Sequence, residues 1–441
     1  MLDRVELYDT TLRDGAQQEG ISLSVEDKLA ITRRLDELGV HFVEGGYAGA
    51  NPKEDEFFRR VRGLTLRHAQ VAAFGNTRRP GVKPQDDPTL RALHDSGAPV
   101  VTLVGKASEF QVKKVLGTSL EENLAMIADS VGYLKAQGRR VFFDAEHFFD
   151  GYKSDPAYAL QALRVAAQAG AERLVLCDTN GGTLPDEVAR ITAEVAKAVG
   201  VRDRPSPFRP PQADQGGAAP APTGHPAGRG GGATHTLTLS LAGRGEPPAL
   251  GIHTHNDTDT AVASALAALQ AGALQVQGTV NGYGERTGNA NLVSIIANLK
   301  LKLGVHCVTD GQLATLTDVS RYVSEVVNRR PFPFQAYVGR SAFTHKGGLH
   351  AAAVEKSPEA YQHIAPGQVG NVNDVLVSEL AGRGSVARRV RELGWAAWRR
   401  LPRACCVSLD EVSESLPDLR QCRLARRRRG RRSGDLGVPS R

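Results

Sequence analysis

From residue 5 to about residue 303 the chain repeats one pattern, a short β-type run followed by a helix-length amphipathic stretch. The runs are VELYDT, HFVEGGY, AQVAAFG, VVTLVGK, RVFFDAEHF, RLVLCDT, LGIHTH and VQGTVNG, eight in all. Helix candidates between and after them cover 24–38, 52–62, 118–137, 156–169, 185–199, 258–271 and 291–303, several opened by Ser, Pro or Asp. Strands that alternate with helices build a parallel sheet covered by its own crossovers, and eight such units close into a TIM (β/α)8 barrel. The predicted fold is therefore an α/β barrel over residues 3–304, with its chemistry at the C-terminal ends of the strands.

Those ends are polar: Arg13 and Asp14 after the first strand, Glu44 on the second, Asp144 and Glu146 on the fifth, Asp178 and Thr179 on the sixth, His253 and His255 on the seventh. All are expected at one mouth. A Pro/Gly/Ala-rich stretch at 203–248 breaks the rhythm and reads as a disordered insertion between the sixth helix and the seventh strand, on the face opposite that mouth. After the barrel, residues 305–383 read as a small mixed, loop-rich subdomain, and residues 384–441 as an atypical, disordered tail.

The chain carries a net charge of +7, but the tail holds 15 Arg, no Lys and 6 acids, a net +9, so the remaining residues sum to −2. The basicity thus belongs to the tail rather than to the enzyme-like body. Five cysteines without C-x-x-C spacing argue against a disulfide framework or a thiolate metal site. The first residues run straight into a strand, and no stretch approaches the ~20 apolar residues that span a bilayer, so a soluble, cytoplasmic protein is expected.

The sharpest local signal is GIHTHNDTDT, residues 251–260. On a strand, His253 and His255 point the same way about 7 Å apart, which suits two ligands converging on one ion. Histidine pairs are more often ordinary core or surface residues, and the position at a barrel strand end favours the ligand reading. Asp14 would supply a hard anionic oxygen beside them, although LRDG is also an ordinary turn. In the glycine-rich NGYGERTGNAN loop, Asn289 offers an amide oxygen, and Glu285 and Arg286 a charge pair. Such a mixed N/O set suits Zn²⁺, Mn²⁺, Co²⁺ or Mg²⁺ alike.

Five motifs in order, DTTLRDGAQQEG, DTNGGTLP, HTHND, VNGYGERTGNANL and SAFTHKGGLH, resemble the 2-isopropylmalate synthase, homocitrate synthase and citramalate synthase family of metal-dependent acyl-CoA condensing enzymes. The resemblance covers roughly residues 3–383, and EGGYAGANPKEDEFF and FFDAEHFFDGYKSDP look most like the citramalate synthase branch. It implies a metal held by Asp14, His253, His255 and Asn289, a 2-oxo acid contacted by Arg13 and Thr179, and acidic active-site residues at Glu146 and Glu285. It also implies that His350 and Tyr361 are catalytic and serve a neighbouring subunit's barrel, hence a homodimer. The implied reaction adds acetyl-CoA to pyruvate, giving citramalate for isoleucine biosynthesis.

For that chemistry a methyl beside a thioester must be deprotonated. His350 is the natural base, with Glu285 or Tyr361 orienting it or relaying the proton, while Arg13 stabilises the developing alkoxide. One methylene is worth only about 1–3 kcal/mol in a pocket, so 3-methyl-2-oxobutanoate, the 2-isopropylmalate synthase substrate, is the nearest rival to pyruvate. A lyase-like cleavage of hydroxymethylglutaryl-CoA and an inactive barrel with a nucleic-acid-binding Arg tail are more distant rivals. A barrel amidohydrolase would carry its His-x-His on the first strand. Family members commonly carry a C-terminal amino-acid-binding domain, and residues 384–441 do not resemble it but rather a shifted reading frame, so feedback inhibition by isoleucine or leucine is not expected.

Overall fold

The structure is a computed structural model, and it describes residues 5–201, 247–345, 350, 353–354 and 356–375. The 203–248 insertion, but for its last two residues, and the 384–441 tail lie outside the described residues.

Strands β1 (Glu6–Asp9), β2 (Phe42–Tyr47), β3 (Gln70–Asn76), β4 (Val100–Lys106), β5 (Arg140–Glu146), β6 (Arg173–Asp178), β7 (Ala249–Thr254) and β8 (Gln275–Gly278) pair in sequence order. All pairings are parallel, and β8 closes on β1 through Glu6↔Gln275 to Asp9↔Gly278. The eight predicted strands and the TIM barrel are thus present.

Outside the strands run α1 (Val25–Leu38), α2 (Pro52–Val61), α3 (Pro88–Asp95), α4 (Leu120–Ala136), α5 (Phe148–Ser154), α6 (Pro156–Ala169), α7 (Pro185–Val199), α8 (Ala261–Gln270) and α9 (Leu292–Leu301). Their starts follow the capping chemistry in the sequence. Ser24 and Asp27 form a reciprocal capping box, and Asn51 and Asp155 each cap a helix that opens on proline. Helix α3 is an addition to the sequence reading. Asp87 accepts from Thr89 N and Leu90 N ahead of Pro88, so the DDP triplet was its signal.

The barrel interior is layered from floor to mouth. At the N-terminal ends of the strands, Glu6 pairs with Arg173, whose guanidinium lies 5.7 Å from the Phe142 ring centre. Above lies a ring of Tyr8, Phe42, Ala72, Val100 and Phe142, all buried, with Phe42 and Phe142 edge to face at 5.1 Å. The Tyr8 hydroxyl then donates to Glu44 at 2.7 Å and bonds Thr102 at 2.6 Å, and Glu44 accepts from Arg13 Nε at 2.5 Å. A packed aromatic floor therefore carries the first charged groups of the mouth.

Strand β2 is irregular where it supports them, with its register shifting between Glu44 and Gly46. Gly46 sits at φ 155°, and a Cβ there would lie 1.6 Å from Glu54 Oε2. The buried Lys28 ammonium fills this bend, donating to Gly45 O at 3.0 Å and to both Glu54 oxygens at 2.6 Å.

The described residues fall into two compact units, one of those up to Gln312 with Val319–Arg329 and one of Leu313–Asp318 with those from Arg330 to Val375. A helix at Leu316–Val326 lies within the stretch read as loop-rich, and most of it belongs with the barrel unit. In the second unit Thr344–His345 pairs in parallel with Asp374–Val375, and Asn371 Nδ2 donates to Tyr337 O and Gly339 O at 3.0 Å each.

Removing one partner of a buried ion pair strands the other charge, at about 3–5 kcal/mol. Glu54→Leu is expected to lower unfolding stability by that order in urea titration. The double replacement Lys28→Met with Glu54→Leu should recover most of it, and equal losses in single and double variants would contradict this reading of the β2 bend.

Candidate metal centre and reaction cavity

The C-terminal strand ends surround a cavity of about 280 Å³ lined by Arg13, Asp14, Phe74, Lys106, Asp144, Glu146, Cys177, Thr179, His253, His255, Glu285 and Arg286, among others. Glu44 and Asp178 are corrections to the expected mouth. Glu44 is fully buried in the wall beneath Arg13, and Asp178 turns to accept from Thr183 N at 3.1 Å and Thr183 Oγ1 at 2.9 Å.

Three buried donors converge. His253 Nε2 lies 3.3 Å from Asp14 Oδ2, His255 Nε2 lies 4.0 Å from the same oxygen, and the two Nε2 atoms are 3.3 Å apart. Metal–ligand bonds of about 2.1 Å separate adjacent ligand atoms by roughly 3.0–3.4 Å, so this triangle can close on one ion with little movement. Among the described residues it is the one cluster of three His, Cys, Asp or Glu donors with this spacing.

The surroundings prepare these atoms. Gln277 Nε2 donates to Asp144 Oδ1 at 3.0 Å, which leaves Gln277 Oε1 to accept from His253 Nδ1 at 2.8 Å. His253 therefore carries its proton on Nδ1 and turns Nε2 toward Asp14. Asn289 Nδ2 donates to Tyr283 O at 3.2 Å, while Asn289 Oδ1 is buried without a hydrogen-bond partner. An orphaned amide oxygen on the residue whose backbone bridges His255 is what a fourth ligand position requires. Gly284, at φ 157°, permits this, because a Cβ there would lie 2.2 Å from Asn289 Nδ2.

Charge is organised around Asp14. Burial pushes its carboxyl up, but Arg13 and both histidines outweigh burial and hold it well below the usual carboxylate range. Burial drives the His255 imidazole down to about 3, with His253 adding to the effect. His253 titrates above its ordinary value because Asp14 outweighs its burial. Burial, reinforced by Glu44, pushes Asp144 up to about 7. Arg13 is fixed by Glu44, by Asp14 at 3.3 Å and by the Phe74 ring at 3.9 Å.

On the other side of the cavity, Thr179 Oγ1 accepts from His147 N at 2.8 Å, leaving its own proton to donate. Glu146 pairs with Lys106, a residue the sequence reading passed over. Arg286 lies 3.9 Å from Glu285, but its main partner is Asp257, with two contacts of 2.8 Å, and it donates to Thr179 O at 2.8 Å. His350 and Tyr361 belong to the second unit, where their rings stack at 4.3 Å between centres.

Below the raised His253 value, metal uptake has to displace the second imidazolium proton, on Nε2, whereas Asp14 is already ionised. Below the raised His253 value, divalent-metal affinity is expected to fall about tenfold per pH unit, with close to one proton released per ion. Calorimetry in buffers of different ionisation enthalpy reads both. His253→Ala or Asp14→Asn should weaken the metal by more than about 100-fold, and pH-independent binding would contradict the assignment.

The HMGL-like family matches residues 4–206 and 240–323, and the homocitrate synthase post-HMGL domain-like family matches residues 337–412. The chain is 48% identical over 415 residues to the (R)-citramalate synthase of Synechocystis sp., covering 94% of this chain and 68% of that one. It is also 48% identical to the (R)-citramalate synthase of Streptomyces coelicolor, covering 89% and 65%. Identity to the probable 2-isopropylmalate synthase of Methanopyrus kandleri is 32%, covering 89% and 67%. The chain thus spans about two thirds of the length of these relatives. The hydroxymethylglutaryl-CoA lyase of Pseudomonas aeruginosa has the same fold, with a TM-score of 0.55 at 20% identity over 80% of this chain and 99% of that one. With the HMGL-like match over most of the barrel and the identity spread along nearly the whole chain, the protein belongs to the 2-isopropylmalate synthase, homocitrate synthase and citramalate synthase family, in its citramalate synthase branch.

Proposed function

We propose that this chain condenses acetyl-CoA with pyruvate and hydrolyses the thioester, releasing CoA and citramalate of the R hand that its relatives' names carry. The observation that carries the reading is the convergence of Asp14, His253 and His255 in the cavity, joined by the unpartnered Asn289 oxygen. A divalent ion held by these four residues would polarise the ketone of a 2-oxo acid and fix the face that is attacked.

The chain's own groups supply the rest. Arg13 has Nε on Glu44 and turns Nη1 toward Asp14, so its remaining N–H groups donate to the oxygen that becomes an alkoxide. Thr179, with its proton free to donate, holds the carboxylate of the oxo acid. Glu146 and Glu285 place acidic groups on the walls. His350 is the base we assign to the acetyl methyl group, oriented by the stacked Tyr361 and serving a barrel in a homodimer. The preference for pyruvate over larger oxo acids rests on the 48% against 32% identity.

Release of free thiol from acetyl-CoA by the purified full-length chain tests this. Pyruvate-dependent release is expected, abolished by chelation and restored by Mn²⁺ or Mg²⁺, with little release when 3-methyl-2-oxobutanoate replaces pyruvate. A preference for the branched acid would move the substrate assignment to the isopropylmalate type, and no release with any 2-oxo acid from metal-loaded protein would overturn the reaction.

A further inference from the structure

The condensation step develops two oxyanions, and the groups assigned so far stabilise only one. The ketone oxygen meets the metal ligands and Arg13. The enolate oxygen of the deprotonated thioester has no partner among them.

The strand order locates the wall that faces the converging donors across the cavity. Asp14 follows β1, while His253 and His255 lie on and just after β7, so the donors flank β8. In a closed ring of eight strands the position facing β8 is β4. The last residue of β4 is Lys106, and its side chain lines the cavity.

Three Arg or Lys side chains line the cavity among the described residues, Arg13, Lys106 and Arg286. Arg13 is engaged by Glu44 and Asp14, and Arg286 by Asp257 and the Thr179 carbonyl. Lys106 has one anionic partner, Glu146, its register neighbour on β5. An ammonium has three donors, so two remain beyond the one given to Glu146. The strand end that carries it is fixed. Asn123 Nδ2 donates to Lys106 O at 2.9 Å and to Tyr158 Oη at 2.8 Å, and Ala107 N donates to Glu146 O at 3.1 Å.

We propose that Lys106 is a catalytic residue that donates a hydrogen bond to the thioester carbonyl oxygen of acetyl-CoA and stabilises the enolate as it forms. The inference rests on the condensation proposed above. In the step, the base takes a methyl proton, the C–H pair becomes the C=C bond, and the carbonyl π pair moves onto the oxygen facing Lys106. The enolate C=C pair then forms the bond to the ketone carbon, the ketone π pair moves onto its own oxygen beside Arg13, and the thioester C=O reforms. Lys106 keeps its proton throughout. Glu146 holds the ammonium at this wall, which gives that carboxylate a positioning role.

Removing one preorganised oxyanion donor typically lowers the rate about 10²–10³-fold. Lys106→Met is therefore expected to lower kcat/KM for acetyl-CoA by that factor, with the pyruvate KM and the Mn²⁺ affinity close to wild type. Proton abstraction should become rate-limiting, so the isotope effect on kcat with trideuterated acetyl-CoA should rise. Lys106→Arg, which keeps a donor, should recover part of the loss, and Lys106→Gln serves should the Met variant fail to fold. Folded Lys106 variants with near-wild-type kcat/KM, an unchanged isotope effect, or a loss confined to the pyruvate KM would overturn the role of Lys106 alone. A wild-type chain without pyruvate-dependent CoA release would overturn the condensation, and Lys106's role with it.

Discussion

One carboxylate organises the mouth of this barrel. Asp14 lies between the Arg13 guanidinium and two imidazoles, all buried or nearly so, at 3.3 to 4.0 Å. A buried carboxylate is tolerable only when its charge is matched, and here the Arg13 guanidinium and the two imidazoles face it. Arg13 is in turn held by Glu44, Glu44 by Tyr8, and Tyr8 by the aromatic layer that fills the barrel. The site's electrostatics are thus continuous with the core packing, which fixes the geometry before any ligand arrives.

A second chain of contacts governs the histidines. Asp144 and Gln277 sit on β5 and β8, and the register pairing of Gln277 with His253 places the amide where it sets the imidazole tautomer. Asp144, pushed up to about 7, can carry a proton near neutrality, so this interior does not add a further full charge beside Asp14. The buried Asn289 oxygen, which no hydrogen bond reaches, adds a further acceptor beside His255.

Much of this was legible in the sequence, and the reason is periodicity. Eight apolar runs separated by capped amphipathic stretches leave little choice of fold, and polar residues ending those runs mark the mouth. Helix α3 escaped because it has only eight residues and follows a proline-rich loop, so its single signal was the Asp87–Pro88 pair. Asp178 was misplaced because a strand-end carboxylate can turn to cap its own loop, as it does on Thr183. Gln277 and Lys106 carry no motif, since a glutamine within a strand and a lysine at its end are unremarkable until register sets them opposite His253 and Glu146.

The proposed chemistry depends on Asp14, His253, His255 and Asn289 holding the ion at which the 2-oxo acid is activated. A crystal structure of the Mn²⁺-loaded protein with pyruvate, located by anomalous scattering, measures this directly. A single strong peak is expected within bonding distance of Asp14 Oδ2 and both Nε2 atoms, with pyruvate oxygens completing the shell beside Arg13 and Thr179. A peak elsewhere in the barrel, or pyruvate bound away from the ion, would contradict it.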